Sequence, residues 1–187
     1  MGKLSVFNFM TLNGYFKGPN DDISWHHHGN EEEGEFATEG AQSDSIILFG
    51  RKTYEMMAGF WPTQDAIKNM PAVAEGMNKA EKIVFSRTLK NASWNNTKII
   101  SDNMVDEVKK LKTKSKKDMT ILGSGSILTQ LADAELIDSF QFMIDPVALG
   151  EGTPIFQGIK RQLGLELTST RAFKSGAILL SYQYANR

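Results

Sequence analysis

Three short stretches carry the residue types that bind phosphate. Gly50, Arg51, Lys52 and Thr53 follow the apolar run "SIILF"; Ser86, Arg87 and Thr88 follow "KIVF"; Gly123, Ser124, Gly125 and Ser126 follow "MTIL". Each sets hydroxyls, cations or free backbone N–H groups where a turn or helix begins. The first N–H groups of a helix, with the positive end of its dipole, attract anions. A glycine there lets a ligand oxygen reach the backbone with no Cβ in the way. Taken singly each stretch is weak, because a Gly-x-Gly turn is more often made for packing. A dinucleotide fingerprint of the Rossmann type also needs a third glycine, where this chain has Leu128. Three such stretches after three strand-like runs suit a ligand with several phosphates, such as a dinucleotide. Arg51, Lys52 and Arg87 further suit an extra phosphate on the adenosine ribose, which favours NADPH over NADH.

The elements that must position these groups are legible from periodicity. Strand-like runs cover residues 4–10, 45–49, 82–86, 98–101, 119–122, 139–145, 163–170 and 178–184. The second, third and fifth are nearly all apolar, as in strands covered on both faces. Helical stripes lie between them, with Met104, Val105, Val108 and Leu111 on one and Ile127, Leu128, Leu131 and Ala132 on another. Strands alternating with helices of this length indicate βαβ units and a mostly parallel sheet. The last two runs alternate apolar and polar residues around a turn at Gly176, which predicts an antiparallel pair at one edge. The expectation is a single α/β domain over residues 1–187, with ligands at the carboxyl ends of its parallel strands.

Bulk properties narrow the function. The chain has 187 residues, 41% hydrophobic and 23% charged, as expected of one globular domain. It contains no cysteine, which excludes disulfides, thiol catalysis and cysteine-based zinc sites. A formal net charge of −1 gives no general attraction to nucleic acid or anionic lipid. No apolar run approaches the roughly 20 residues of a membrane span, and the first ten residues alternate like a strand rather than a leader, so a cytoplasmic protein is expected. His26, His27 and His28 invite a metal reading. Adjacent histidines point to alternate sides, however, and no third ligand stands near, so no metal is expected.

The motifs "GRKTYE", "KIVFSRTL", "ILGSGSILTQL" and "DPVALGEGTPIF" occur in the order and spacing of the dihydrofolate reductase superfamily. The chain most resembles its reductase-domain branch, related to the reductase half of the bifunctional riboflavin-biosynthesis deaminase-reductase. The resemblance implies a three-layer α/β/α fold with a mixed, mostly parallel sheet and an antiparallel C-terminal strand. It implies NADPH as cofactor, bound by Gly50, Arg51, Lys52, Thr53, Ser86, Arg87, Thr88, Gly123, Ser124, Gly125, Ser126 and Ile127. Met10, Thr11 and Leu12 would line the nicotinamide pocket, with Leu12 and Asn13 reaching the substrate and Trp25 or Trp61 forming a flat wall. Folate-reducing members place one carboxylate shortly after a loop tryptophan, which here points to Glu31 or Glu32.

The chain departs from the riboflavin reductases at Asn13, where they carry an acid, and at Leu122, where they carry a glutamate. Their Asp-x-Pro-x-Leu substrate segment has no counterpart. The leading expectation is hydride transfer from NADPH to a pteridine, a ribosylaminopyrimidine or a related small flat heterocycle, by a homodimer. Two other readings stay open at this point: a non-catalytic nucleotide-binding or interaction module that kept the fold, and a flavin-binding module.

Overall fold

The computed structural model describes residues 1–26 and 31–185. In chain order its elements are β1 (Leu4–Thr11), β2 (Tyr15–Lys17), a 3-10 turn (Pro19–Asp21), α1 (Glu31–Gln42), β3 (Ile46–Gly50), α2 (Arg51–Phe60), α3 (Gln64–Asn69) and α4 (Pro71–Lys79). There follow β4 (Lys82–Phe85), β5 (Thr97–Ile100), α5 (Met104–Lys114), β6 (Met119–Leu122), α6 (Gly125–Asp133), β7 (Ser139–Asp145), β8 (Thr153–Pro154), β9 (Leu165–Ala172) and β10 (Ile178–Tyr184). One eight-stranded sheet runs in the order β5-β4-β3-β6-β1-β7-β10-β9. All its pairs are parallel except those of β10 with β7 and β9. The expected mixed α/β sheet and its antiparallel edge are therefore present. A small second sheet, β2 with β8, was not expected, since neither strand exceeds three residues.

The apolar strands are apolar because both faces are covered. Ile46 and Leu48 of β3 enter the core beneath α5 and α6, together with Leu4, Val6, Ile121, Val108 and Leu128. Ile47 and Phe49 enter the opposite core with Tyr54 of α2, Val73 and Met77 of α4, and Trp94. Burying such side chains fully contributes about 1.5–3 kcal/mol each. A third cluster, Met143, Phe173, Ala177 and Leu179 with Phe7, Phe9 and Phe36, packs α1 against the other half of the sheet.

Lys82 opens β4 with its ammonium buried. Nζ donates to the carbonyls of Met77 (2.9 Å), Asn78 (3.3 Å) and Ala80 (2.6 Å) at the end of α4, and lies 4.4 Å from the Trp94 ring centre. The lysine thus closes the negative end of a helix. Burial pushes its pKa down to about 8, and the carbonyls and ring face favour the charged form at neutral pH.

Connectivity places the crevice. From β3 the chain passes to its outer neighbour β4, whereas from β6 it crosses past β1 to β7. Helices α2 and α6 therefore leave adjacent strands toward opposite faces of the sheet, and a gap opens beyond the carboxyl ends of β3 and β6.

Candidate functional site

At that gap the two helix N-termini meet. Gly50 N–H donates to Ser124 Oγ (2.7 Å), and Ser124 Oγ donates to Thr53 Oγ1 (2.9 Å). Gly123 (φ 60°) and Ser124 (φ 63°) are both left-handed, the conformation that turns the chain sharply from β6 into α6. Contact is close: a Cβ on Gly50 would stand 2.9 Å from Ser124 Oγ, and one on Gly123 would stand 2.9 Å from Thr53 Cγ2. Neither α2 nor α6 has a side-chain cap or an acid in its first turn. Elsewhere, Thr63 accepts from Ala66 N–H at α3, and α1 and α5 carry acids in their first turns; α4 also lacks both, but it opens with Pro71, which has no N–H to satisfy. Two uncapped, mutually supporting N-termini leave free N–H groups and two positive dipole ends facing one place.

A continuous cleft of about 2190 Å³ opens at this point and extends over the sheet face under α1 and α4, as far as Ser5, Ser45 and Thr120 near the amino ends of β1, β3 and β6. Drug-sized pockets occupy about 300–1,000 Å³, so this one has room for a cofactor and a substrate together. Gly50, Arg51, Lys52 and Thr53 line it with Gly123, Ser124, Gly125, Ser126 and Ile127. At the β4–β5 end Ser86 and Arg87 join them, beside Asp102. Thr88 does not line the cleft. The Ser86 hydroxyl accepts from Thr88 N–H (3.2 Å) and Leu89 N–H (3.0 Å) and so shapes the turn. The cations have exposed partners: Arg51 with Glu55 (3.0 Å), Arg87 with Asp102 (3.8 Å), and Lys52 with Asp21 (2.7 Å). Exposed pairs of this kind are worth about 0.2–1 kcal/mol, little enough for a phosphate to replace the acid. Asp21 also pairs with Lys17, and the two lysines, Lys17 first, hold its carboxyl down at about 2. This ties the loop after β2 to the first turn of α2.

The other end of the cleft is aromatic. Phe7 and Phe9 of β1, Phe36 of α1, Ile23, Trp25 and His26 line it, and Trp61 closes one side farther toward α2. His26 lies over Phe9 with ring centres 3.7 Å apart, and its Nδ1 is 2.8 Å from Asp145 Oδ2, with both side chains nine-tenths buried. Asp145 ends β7 opposite Thr11, on the same sheet face as Phe7 and Phe9. Trp25 Nε1 is buried with no hydrogen-bond partner among the described residues.

Several expected contacts lie elsewhere. Met10, Thr11, Leu12 and Asn13 are not among the lining residues; the part of β1 that reaches the cleft is Ser5 and Phe7–Phe9. Thr11 and Asn13 instead hold the loop. Thr11 Oγ1 donates to Asn13 Oδ1 (2.8 Å) and accepts from Tyr15 N–H (3.0 Å), while Asn13 exchanges hydrogen bonds with the backbone of Leu149. Leu12 is exposed. The first turn of α1 faces the β9–β10 turn: Glu32 accepts from Lys174 N–H (3.1 Å) and Glu33 from the Ser175 hydroxyl. Glu31 is exposed, and neither it nor Glu32 lines the cleft. Of the histidine triplet, His26 lies in the site, whereas His27 and His28 fall outside the described residues. No helix among the described residues is long and apolar enough to cross a membrane.

Sequence reading did not single out the His26–Asp145 pair, the phenylalanine wall or Asn8. A carboxylate ending a parallel strand was the available signal for Asp145. A polar residue inside the apolar alternation Leu4, Val6, Asn8, Met10 was the signal for Asn8.

Comparison with known proteins gives the family and the fold. The family model for the RibD C-terminal domain matches residues 3–179. The protein YyaP of Bacillus subtilis (strain 168), itself uncharacterized, is 32% identical over 175 residues, covering 94% of this chain and 91% of its own. Among solved structures, a putative riboflavin biosynthesis protein from Shewanella sp. PV-4 superposes with a TM-score of 0.75 at 18% identity, covering 98% of this chain and 99% of that one. Dihydrofolate reductase from Enterococcus faecalis, complexed with NADP(H), gives 0.68 at 16% identity, covering 99% and 98%. The chain belongs to the RibD C-terminal domain family and has a dihydrofolate reductase-like fold.

Proposed function

We propose that this member of the family is an NADPH-dependent oxidoreductase that reduces a small flat heterocycle of pteridine or ribosylaminopyrimidine type in the cytoplasm. The observation that carries the reading is the pair of uncapped helix N-termini at Gly50–Thr53 and Gly123–Ser126, opening on one cleft that continues to an aromatic wall. The residues fit the cofactor. Free N–H groups of α2 and α6 suit a diphosphate, and close backbone contact at Gly50 and Gly123 leaves no room there for a side chain. Arg51 and Arg87 are exposed cations able to meet a ribose phosphate. When bound, the cofactor supplies the hydride, and the protein has to position, dry and protonate.

For those tasks, Phe7, Phe9 and Phe36 offer the apolar surface against which a flat ring packs. Trp25 Nε1–H offers a donor to a ring carbonyl or nitrogen. His26, oriented by Asp145, is the imidazole on this wall and passes the proton in this reading, in place of Glu31 or Glu32. A homodimer is proposed as the commonest closed assembly of soluble proteins, and light scattering at twice the chain mass checks it.

The test is cofactor oxidation by purified protein against a panel of pterins, aminopyrimidines and related heterocycles. Turnover of at least one member is expected. NADPH binding with no oxidation across the panel would instead place this chain among non-catalytic nucleotide-binding modules.

A further inference from the structure

On the α1 side of the sheet the side chains form a grid that changes character along the strands. At the carboxyl end stand Phe7 and Phe9 of β1 and Leu122 of β6. Toward the amino end the same face carries Ser5, in register with Thr120, while Gln141 of β7 stands beside Phe7. Strand geometry puts Ser5 about 7 Å along β1 from Phe7, with Thr120 about 4.8 Å across from Ser5. All three polar residues are half-buried and line the cleft. Above them lies the C-terminal half of α1, which presents Ala37, Gly40 and Ala41 to the cleft, in a helix that buries none of its residues. The helix therefore stands off the sheet, over a groove continuous with the phenylalanine wall. Packing alone does not ask for this floor, since valine and leucine at these positions would bury more apolar surface.

The floor has hydrogen-bonding capacity to spare. Ser5 Oγ donates to the Met119 carbonyl (3.3 Å) and lies 3.1 Å from Thr120 Oγ1, so the Thr120 hydroxyl donates to Ser5 and keeps its lone pairs. Gln141 Nε2 makes one long bond, to Ser181 Oγ (3.5 Å), and Gln141 Oε1 accepts from no described residue. What remains on offer is mostly acceptor oxygen, which suits the O–H groups of a ligand and has the wrong polarity for phosphate. Charge points the same way. Among the described residues, the cations that line the cleft are Lys17 on β2, Arg51 and Lys52 in the first turn of α2, and Arg87 after β4. Lys3 and Lys117 do not line it, and Lys117 is held by Asp44 (2.8 Å) and Glu81 (2.9 Å). The groove lies instead under the C-terminal half of α1, the negative end of that helix dipole. The two helix N-termini at the cradle attract phosphate, and this helix C-terminus repels it.

We propose that the groove beneath α1 receives an uncharged, hydroxylated side chain of the substrate, with Ser5, Thr120 and Gln141 as the floor that binds its hydroxyls. This rests on the reading that the substrate ring packs on Phe7 and Phe9, and it excludes a phosphate-ended chain. The test measures dissociation constants, in the presence of NADP⁺, for a pterin and an aminouracil that each carry a methyl group, a polyol chain, or the same chain ended by phosphate. In at least one ring class the polyol compound binds about tenfold or more tightly than the methyl one, and the phosphate adds nothing or weakens binding. The double variant Thr120→Val, Gln141→Leu brings the polyol compound to the affinity of its methyl analogue, whose own binding it leaves unchanged. Equal binding of methyl and polyol compounds by the wild-type protein overturns the proposal, as does tighter binding of the phosphate. A variant that weakens methyl and polyol compounds in parallel also overturns it, since Thr120 and Gln141 would then only support the cleft. Wild-type protein that binds no compound of either ring class, methyl ones included, defeats the ring reading and this assignment with it. Should the double variant not fold, the wild-type comparison decides.

Discussion

Replacing Gly123 by alanine tests the cradle at its tightest point. The residue has φ 60°, where a non-glycine residue costs about 1–2 kcal/mol. The new Cβ would also stand 2.9 Å from Thr53 Cγ2 and 3.2 Å from Thr53 Oγ1, so the threonine has to move. Its hydroxyl then gives up the hydrogen bond from Ser124 Oγ, worth roughly 1 kcal/mol net. The sum is about 2–3 kcal/mol. At roughly 2–4 °C per kcal/mol for a chain of this size, the melting temperature falls by about 4–12 °C. If the turn opens to relieve the strain, the N-termini of α2 and α6 separate, and NADPH affinity falls tenfold for each ~1.4 kcal/mol of cradle energy lost. Gly150→Ala is the control, because a Cβ there meets nothing within 4 Å; it should melt and bind like the parent. Thermal melts and NADPH fluorescence titration of the three proteins decide. A Gly123→Ala protein indistinguishable from the Gly150→Ala control in both assays refutes the idea that this turn is built around a ligand.

Other consequences can be checked in the same preparations. Lys82→Met strips the end of α4 of the ammonium that serves three carbonyls; a loss of about 2 kcal/mol, or roughly 4–8 °C, is expected, and an unchanged melt would show that water serves those carbonyls equally well. Asp21 has a folded pKa near 2 against an ordinary 3.8, so its stabilising tie to Lys17 and Lys52 is present above the ordinary value and lost as pH falls toward 2. The melting difference between wild type and Asp21→Asn should accordingly shrink over that range, and a difference that persists at about pH 2 contradicts the assignment. At least one of Arg51→Ala and Arg87→Ala should weaken NADPH by about tenfold or more while sparing NADH; equal weakening of both cofactors means that neither arginine reads the ribose phosphate. Once a substrate is known, His26→Gln should slow single-turnover hydride transfer by about a hundredfold or more, and an unchanged rate returns the proton to solvent or another group.

The sheet was largely legible because its signals are local. Ile46–Phe49 and Ile83–Val84 are apolar at every position since two cores claim them, and the runs at 119–122, 139–145 and 178–184 appear as strands with those same bounds. The placing of Gly50–Thr53, Ser86–Arg87 and Gly123–Ser126 on one cleft was legible for a related reason: each follows directly on an apolar parallel strand. The aromatic end of the cleft was not, because its residues meet only through the tertiary fold. His26 and Asp145 are 119 positions apart in sequence. Glu32 looked like a site acid by its distance from Trp25, but its direction is set by the β9–β10 turn, whose Lys174 and Ser175 take up the first turn of α1. Asn13 likewise was expected to reach a substrate, yet both polar atoms of its side chain pin the loop after β1 to Leu149 and Thr11.

The central claim is that one dinucleotide spans the carboxyl edge of the sheet from β4 to β1, and a crystal structure of the NADPH complex tests it most directly. The account predicts the diphosphate between the N-termini of α2 and α6, the adenosine ribose beside Ser86 and Arg87, and the nicotinamide past β6 toward the wall of Phe7 and Phe9. Cofactor bound outside this cleft, or crystals grown at saturating NADPH with the cleft filled by side chains alone, would contradict it.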